Sequence, residues 1–208
     1  MDNDINQAMQ RTKRYWHVDG INEMGLGLLF LLMGLYFFLE FILTPASSLY
    51  QIMNVAFVTL VVIIGLSAGR LITTIKEHLT YPRTGYVAYR QARGIKRWIR
   101  VLLLFSASAL ISALIVNLPI SHNWLPLILG VTVAGAMLFI GNRVGLSRFY
   151  ILSAISMLAG AGIAFSGVDL TVGGMLYNTL MGMALILSGG LTLRNYLSQT
   201  RNVQEDET

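Results

Sequence analysis

Long apolar runs alternate with short polar segments along the chain. Six runs near twenty residues long are almost free of charged residues: 21–44, 51–73, 100–118, 124–141, 149–165 and 170–193. A helix of about twenty apolar residues crosses a hydrocarbon core of about 30 Å. Because backbone amides in lipid must be satisfied within their own segment, and no two-residue alternation is present, the runs predict helices and not a barrel. The expected fold class is all-α, a polytopic six-helix transmembrane bundle.

The polar segments complete the predicted organisation. We expect an N-terminal juxtamembrane segment over 1–20, a transmembrane domain over 21–195 and a polar C-terminal tail over 196–208. The longest connection, 74–99, is called the hook. The sequence Pro82-Arg83-Thr84-Gly85 favours a tight turn within it. We therefore expect the second helix to continue out of the membrane to about residue 80, and an amphipathic helix to return from about residue 87.

Lysine and arginine are confined to alternate connections. Of the 15 in the chain, three precede the first span, eight belong to the second connection with its helix ends, two to the fourth and two to the C-terminal segment. The connections at 45–50, 119–123 and 166–169 contain none. Since positive residues are retained on the cytoplasmic side, this split predicts an even number of spans with both termini in the cytoplasm.

Composition and motifs exclude several classes of function. A chain that is 55% hydrophobic and 12% charged is typical of a membrane protein. The absence of cysteine excludes disulfides, thiolate metal sites and a cysteine nucleophile. The chain has no H-E-x-x-H, nucleophile elbow or P-loop motif, and His17, His78 and His122 all fall at or beyond span ends, which excludes a haem held inside the membrane. We expect no catalytic residue, no metal and no cofactor.

The hook stretch LTYPRTGYVAYRQARGIKRW carries five lysines and arginines, three tyrosines and no acid. Bases and aromatics together suit nucleic acids, but membrane topology alone produces the same pattern, so we expect no nucleic-acid partner. Anionic lipids are the expected partner, because each cation near the surface gains about 1 kcal/mol from their headgroups. A specific pocket for a phosphate or lipid headgroup would use Tyr81, Arg83, Tyr86, Arg90, Asp19 and Glu23.

Asp19 and Glu23 lie four residues apart at the start of the first span. In one interpretation Asp19 caps the helix, both acids favour the positive end of its dipole, and both pair with arginines of the hook. In the other, His17 joins the two carboxylates in an interfacial metal or acid–base site.

Glu40 is the one acid expected beneath the outer membrane surface, and an ionisable residue there is a functional candidate. Its candidate neighbours are His122, Tyr50, Asn54 and Asn117. Three interpretations stay open: a glutamate solvated at the interface, a neutral, hydrogen-bonded acid, or one half of a proton-sensitive pair with His122.

Small and polar residues within the spans indicate helix contacts. Glycine or alanine recurs at helical spacing at Gly65 and Gly69, Gly160 and Ala164, and Gly182 and Gly189. Close backbone approach holds bundles together in lipid, so these positions predict contacts within the chain, with a homodimer through the last span as the alternative. Tyr177 and Asn178 are expected to form interhelical hydrogen bonds.

The pairing of YWHVDGINEMGLG, residues 15–27, with LTYPRTGYV, residues 79–87, resembles a pattern of uncharacterised small multi-spanning membrane proteins of prokaryotes. The resemblance implies a multi-pass protein of the plasma (inner) membrane in which the two segments act together, and it carries over no activity.

We expect a non-enzymatic structural, regulatory or transport-related component, with a second copy or another membrane subunit as a candidate partner. Transport would require a midplane cavity lined by polar groups such as Ser67, Ser112, Ser156 and Asn178. The alternative is an enzyme or receptor for a phosphate-headgroup lipid at the cytoplasmic surface.

Overall fold

The computed structural model describes residues 19–79 and 124–205, and those residues form five helices. The helices are α1 (Ile21–Ile42), α2 (Ser48–Leu79), α3 (Leu125–Val144), α4 (Ser147–Ser166) and α5 (Leu170–Glu205). All five are long and apolar enough to cross a membrane, and no strand occurs in the described residues. The all-α membrane fold class and five of the predicted spans are confirmed. The remaining predicted span, 100–118, lies outside the described residues.

The helix ends refine the predicted boundaries. α2 continues to Leu79, as expected for a second helix that runs into the hook. α5 continues to Glu205, so a large part of the predicted polar tail is helical. Glycines with left-handed backbone conformations end two helices: Gly145 after α3, with φ 70°, and Gly167 after α4, with φ 69°. The turn at Gly167 confirms that α4 and α5 are separate spans.

The described helices pack in the order α2, α1, α5, α4, α3, and the most extensive contact among them joins α1 with α5. Their backbones nearly touch, because a Cβ added to Gly27 would lie 2.9 Å from the carbonyl oxygen of Gly182, and one on Gly189 would lie 2.7 Å from that of Gly20. Gly182 and Gly189 therefore lie on a contact within the chain. Close approach of this kind allows dispersion contacts between helices that lipid would otherwise separate.

Contacts between helix ends define the two ends of the bundle. The first turn of α1, the last turns of α2, the first turn of α4 and residues 188–192 of α5 meet at one end, which we call the charged end. The five described lysine and arginine side chains all lie towards it: Arg70, Lys76, Arg143, Arg148 and Arg194. The turns at 43–47 and 167–169 lie at the opposite end, the turn end. This separation agrees with the charge split in the sequence.

Polar side chains in the bundle interior are hydrogen bonded. The buried hydroxyl of Ser156 donates to the carbonyl of Gly130 at 2.9 Å and lies 2.8 Å from the Tyr177 hydroxyl, which joins α3, α4 and α5. The prediction for Tyr177 is therefore confirmed. The prediction for Asn178 is wrong: its amide donates to the carbonyl of Gly174 in its own helix at 2.7 Å, because the carbonyl one turn earlier is within reach.

The residues suggested for a transport cavity have other contacts. Ser156 has no exposed surface, and the hydroxyl of Ser67 donates to the carbonyl of Ile63 in its own helix at 2.7 Å. Ser112 lies outside the described residues. Within the described part of the chain, the Ser156 hydroxyl joins neighbouring helices, and the Ser67 hydroxyl forms a hydrogen bond with a backbone carbonyl of its own helix.

Candidate functional site

Four ionisable side chains meet at the charged end and form what we call the charge cluster: Asp19, Glu23, Lys76 and Arg148. Lys76 Nζ lies 3.0 Å from Asp19 Oδ2, and Arg148 Nη2 lies 2.7 Å from Glu23 Oε1. The Lys76 and Glu23 side chains are each 3% exposed, Asp19 is 7% exposed and Arg148 is 18% exposed. Two ion pairs thus connect α1 with α2 and with α4.

The last helix completes the charge cluster with hydroxyl groups. Ser188 Oγ donates to Glu23 Oε2 at 3.2 Å, and Arg148 Nη1 donates to Thr192 Oγ1 at 2.6 Å. The Thr192 hydroxyl in turn donates to the backbone carbonyl of Ser188 at 2.8 Å. Each partner of the Glu23–Arg148 pair therefore has a further hydrogen bond from α5, which is what a buried ion pair requires to offset the loss of water.

The local sequence explains how the two acids reach the charge cluster. Gly20 precedes α1 with φ 73°, and it lies against the backbone of Gly189. This left-handed turn places Asp19 outside the helix, where its Oδ1 accepts from the amide of Ile21 at 3.3 Å. Glu23 lies in the first turn of α1, where the helix dipole favours a carboxylate. Asp19 does bind an amide at the helix start, as predicted, although Gly20 is the N-cap residue.

The predicted partners of the acids are only partly those observed. Asp19 pairs with Lys76, which lies at the start of the hook, whereas Glu23 pairs with Arg148 from the fourth predicted connection. Sequence reasoning did not single out Arg148. The available signal was its position in the first turn of an apolar span, on the same predicted side of the membrane as Glu23.

The other predicted ligand-binding residues at this end, Tyr81, Arg83, Tyr86 and Arg90, lie outside the described residues, as does His17. Within residues 19–79 and 124–205, no three histidine, aspartate or glutamate side chains lie close enough together to hold a metal ion. The charge cluster contains equal numbers of acids and bases, and each carboxylate faces a cation. This geometry is suited to holding the start of α1 against α2 and α4.

A second polar arrangement lies near the turn end and is called the polar quartet: Tyr36 and Glu40 on α1, Tyr50 and Asn54 on α2. The Tyr50 hydroxyl donates to Glu40 Oε1 at 3.2 Å, and the Tyr36 hydroxyl donates to Asn54 Oδ1 at 2.7 Å. Tyr50 is therefore a neighbour of Glu40, as predicted, whereas Asn54 is bonded to Tyr36. His122, the predicted pair partner of Glu40, lies outside the described residues.

Comparison of the chain with models of protein families, with curated proteins and with solved structures finds no match. Functional information therefore comes from the residues of the chain itself. The described residues offer two arrangements to explain, the charge cluster at one end of the bundle and the polar quartet near the other.

Proposed function

We propose that the protein is a non-enzymatic structural component of a membrane, in which the charge cluster locks the helices together. The observation that carries this proposal is that both acids, Asp19 and Glu23, are buried and paired with cations. Counted as whole residues, Asp19 is 5% exposed and Glu23 is 3% exposed. Asp19 is paired with the buried Lys76, and Glu23 with the half-buried Arg148. A carboxylate that acts as a general base or binds a substrate must reach it within hydrogen-bond distance. Here a substrate would first have to break an ion pair.

The proposal also covers the type of membrane in which the protein lies and the side of it that the charged end faces. The charged end faces the cytoplasm of a prokaryotic plasma membrane, because lysine and arginine are retained on that side. Arg70, Arg143 and Arg194 are exposed towards this end. They contact anionic lipid headgroups there, with a gain of about 1 kcal/mol for each arginine near the surface. The charge cluster supplies rigidity, and the exposed arginines supply attachment to the inner leaflet.

The orientation can be tested by cysteine labelling, because the chain has no cysteine of its own. Ser48 lies exposed at the turn end and Ser147 lies exposed at the charged end. In intact cells, a membrane-impermeant maleimide should label Ser48→Cys but not Ser147→Cys, and Ser147→Cys should react after the membrane is permeabilised. The reverse pattern would invert the orientation. Labelling of both positions from the same side would contradict the arrangement of the helices.

The structural role can be separated from lipid chemistry with a double variant, Asp19→Asn with Glu23→Gln. In nanodiscs that contain phosphatidylglycerol and phosphatidylethanolamine, we expect no lipid conversion by either protein when products are measured by mass spectrometry. We also expect the double variant to melt at a lower temperature, since the buried Lys76 and the half-buried Arg148 would lose their carboxylate partners. Lipid conversion by the unmodified protein, lost in a monodisperse double variant, would favour the enzyme instead.

A further inference from the structure

The polar quartet is built from two matched pairs of residues. Tyr36 and Glu40 are four residues apart on α1, and Tyr50 and Asn54 are four residues apart on α2, so each pair lies on one face of its helix. Because the two helices run in opposite directions, each tyrosine reaches the polar partner on the other helix. All four side chains are half-buried. Part of each side chain is therefore accessible within the part of the chain that the structure describes.

The polar quartet has more acceptors than donors. Both tyrosine hydroxyls already donate, to Glu40 and to Asn54, so the amide of Asn54 is the only donor left. A carboxylate has about four acceptor sites and a phenolic oxygen accepts as well. The bond from Tyr50 to Glu40 is 3.2 Å long, whereas a hydroxyl bound tightly to a carboxylate lies at about 2.5–2.7 Å. The acceptor sites that these bonds leave unused are therefore on the Glu40 carboxylate and on the two tyrosine oxygens.

Charge and aromatic surface define what would complete the polar quartet. No lysine or arginine among the described residues forms an ion pair with Glu40, and those described lie towards the other end of the bundle. The Tyr36 ring stacks on Phe57 with a centroid distance of 4.2 Å and meets Phe37 edge-on at 5.6 Å. An aromatic face that no other ring covers attracts organic cations. The polar quartet thus needs hydrogen-bond donors for its open acceptor sites and a positive charge opposite Glu40. An ammonium group supplies both, since it has three donors and a positive charge.

We propose that Glu40, Tyr36, Tyr50 and Asn54 form a binding site for a primary ammonium group. Its nitrogen donates to the Glu40 carboxylate and to the tyrosine oxygens, and its charge balances that of Glu40. The ammonium belongs either to the headgroup of a phosphatidylethanolamine in the surrounding leaflet or to a free amine. The site is independent of the charge cluster and of the proposed structural role.

Two measurements test the ammonium site and distinguish its sources. In lipid-free detergent, saturation-transfer NMR should detect n-butylammonium bound to the unmodified protein, and Glu40→Gln should weaken that binding about tenfold or more, because a charge-assisted hydrogen bond is lost. Native mass spectrometry after purification from mixed phosphatidylethanolamine and phosphatidylglycerol should show phosphatidylethanolamine retained only when Glu40 is intact. Butylammonium binding without retained phosphatidylethanolamine assigns the site to free amines, and both results together assign it to the headgroup.

The matched control is Asp169→Asn, because Asp169 is an exposed carboxylate at the same end whose Oδ2 accepts from the amide of Thr171 at 3.1 Å. We expect this change to leave butylammonium binding intact. Equal binding by Glu40→Gln and the unmodified protein overturns the proposal, as does equally effective competition by potassium at matched ionic strength. If Glu40→Gln does not purify in folded form, Tyr50→Phe and Tyr36→Leu replace it, and undiminished binding by both overturns the proposal in the same way.

Discussion

Replacement of Arg148 by methionine should lower the free energy of unfolding by about 3–5 kcal/mol, the usual cost of breaking a buried ion pair by removing one partner. The change leaves Glu23, which is 3% exposed, without the guanidinium 2.7 Å away. It also removes the donor to Thr192 on α5. Equilibrium unfolding in mixed micelles, followed by tryptophan fluorescence, measures the loss.

Two further variants show whether the Arg148→Met effect comes from the ion pair. Arg143→Met removes an exposed arginine five residues earlier in the chain, so its effect should be within about 1 kcal/mol. The double variant Arg148→Met with Glu23→Leu removes both charges and should regain most of the stability, because paired removal leaves no uncompensated charge. If the double variant were as unstable as Arg148→Met alone, the loss would have to be assigned to packing of the arginine side chain.

Gly20→Ala should be similarly damaging, for a reason of backbone geometry. Gly20 has φ 73°, a conformation that costs an L-residue about 1–2 kcal/mol. A Cβ there would also overlap the backbone carbonyl oxygen of Gly189, and overpacking of this kind adds about 1–3 kcal/mol. We expect a large drop in melting temperature and a weakened contact between α1 and α5, measurable by thermal unfolding and by disulfide cross-linking between cysteines introduced on the two helices.

Gly145→Ala separates the two causes of the Gly20→Ala effect. Gly145 has φ 70°, but nothing lies within 4 Å of a Cβ built on it. It should therefore show only the backbone cost, about 1–2 kcal/mol. Equal losses for the two variants would mean that α1 and α5 can separate enough to accommodate a methyl group, and the close contact between their backbones would not be a source of stability.

The spans were predictable because the bilayer acts on each helix separately. A run such as 149–165 must be a helix whatever surrounds it, and the structure places α4 at Ser147–Ser166. The partner of each helix is a different matter, since apolar faces are nearly equivalent in lipid. Gly182 and Gly189 were recognised as contact positions, but the matching interval of seven residues at Gly20, Gly27 and Gly34 becomes informative only when α1 is seen against α5.

In the charge cluster too, the position of the acids could be predicted from the sequence, whereas their partners depend on which helices are neighbours. The sequence placed Asp19 and Glu23 on the same predicted side as all 15 lysines and arginines. It offered no means of choosing among these cations, because the choice depends on which helices are neighbours. Arg148 is selected by the packing of α4 against α5. The polar quartet was easier to predict from the sequence, because its two helices are joined by a short turn and the two residues on each helix are four positions apart.

The hydrogen bond between Glu23 and Ser188 spans 165 positions of the chain, and this has a consequence for biogenesis. At a synthesis rate of about 5–20 residues per second, Glu23 leaves the ribosome roughly 8 to 33 seconds before Ser188 does. During that interval Glu23 lacks the hydrogen bond from Ser188, and the face of α1 that packs on α5 stays uncovered. A nascent chain arrested before α5 would therefore display an unfinished helix face to the quality-control proteases of the membrane.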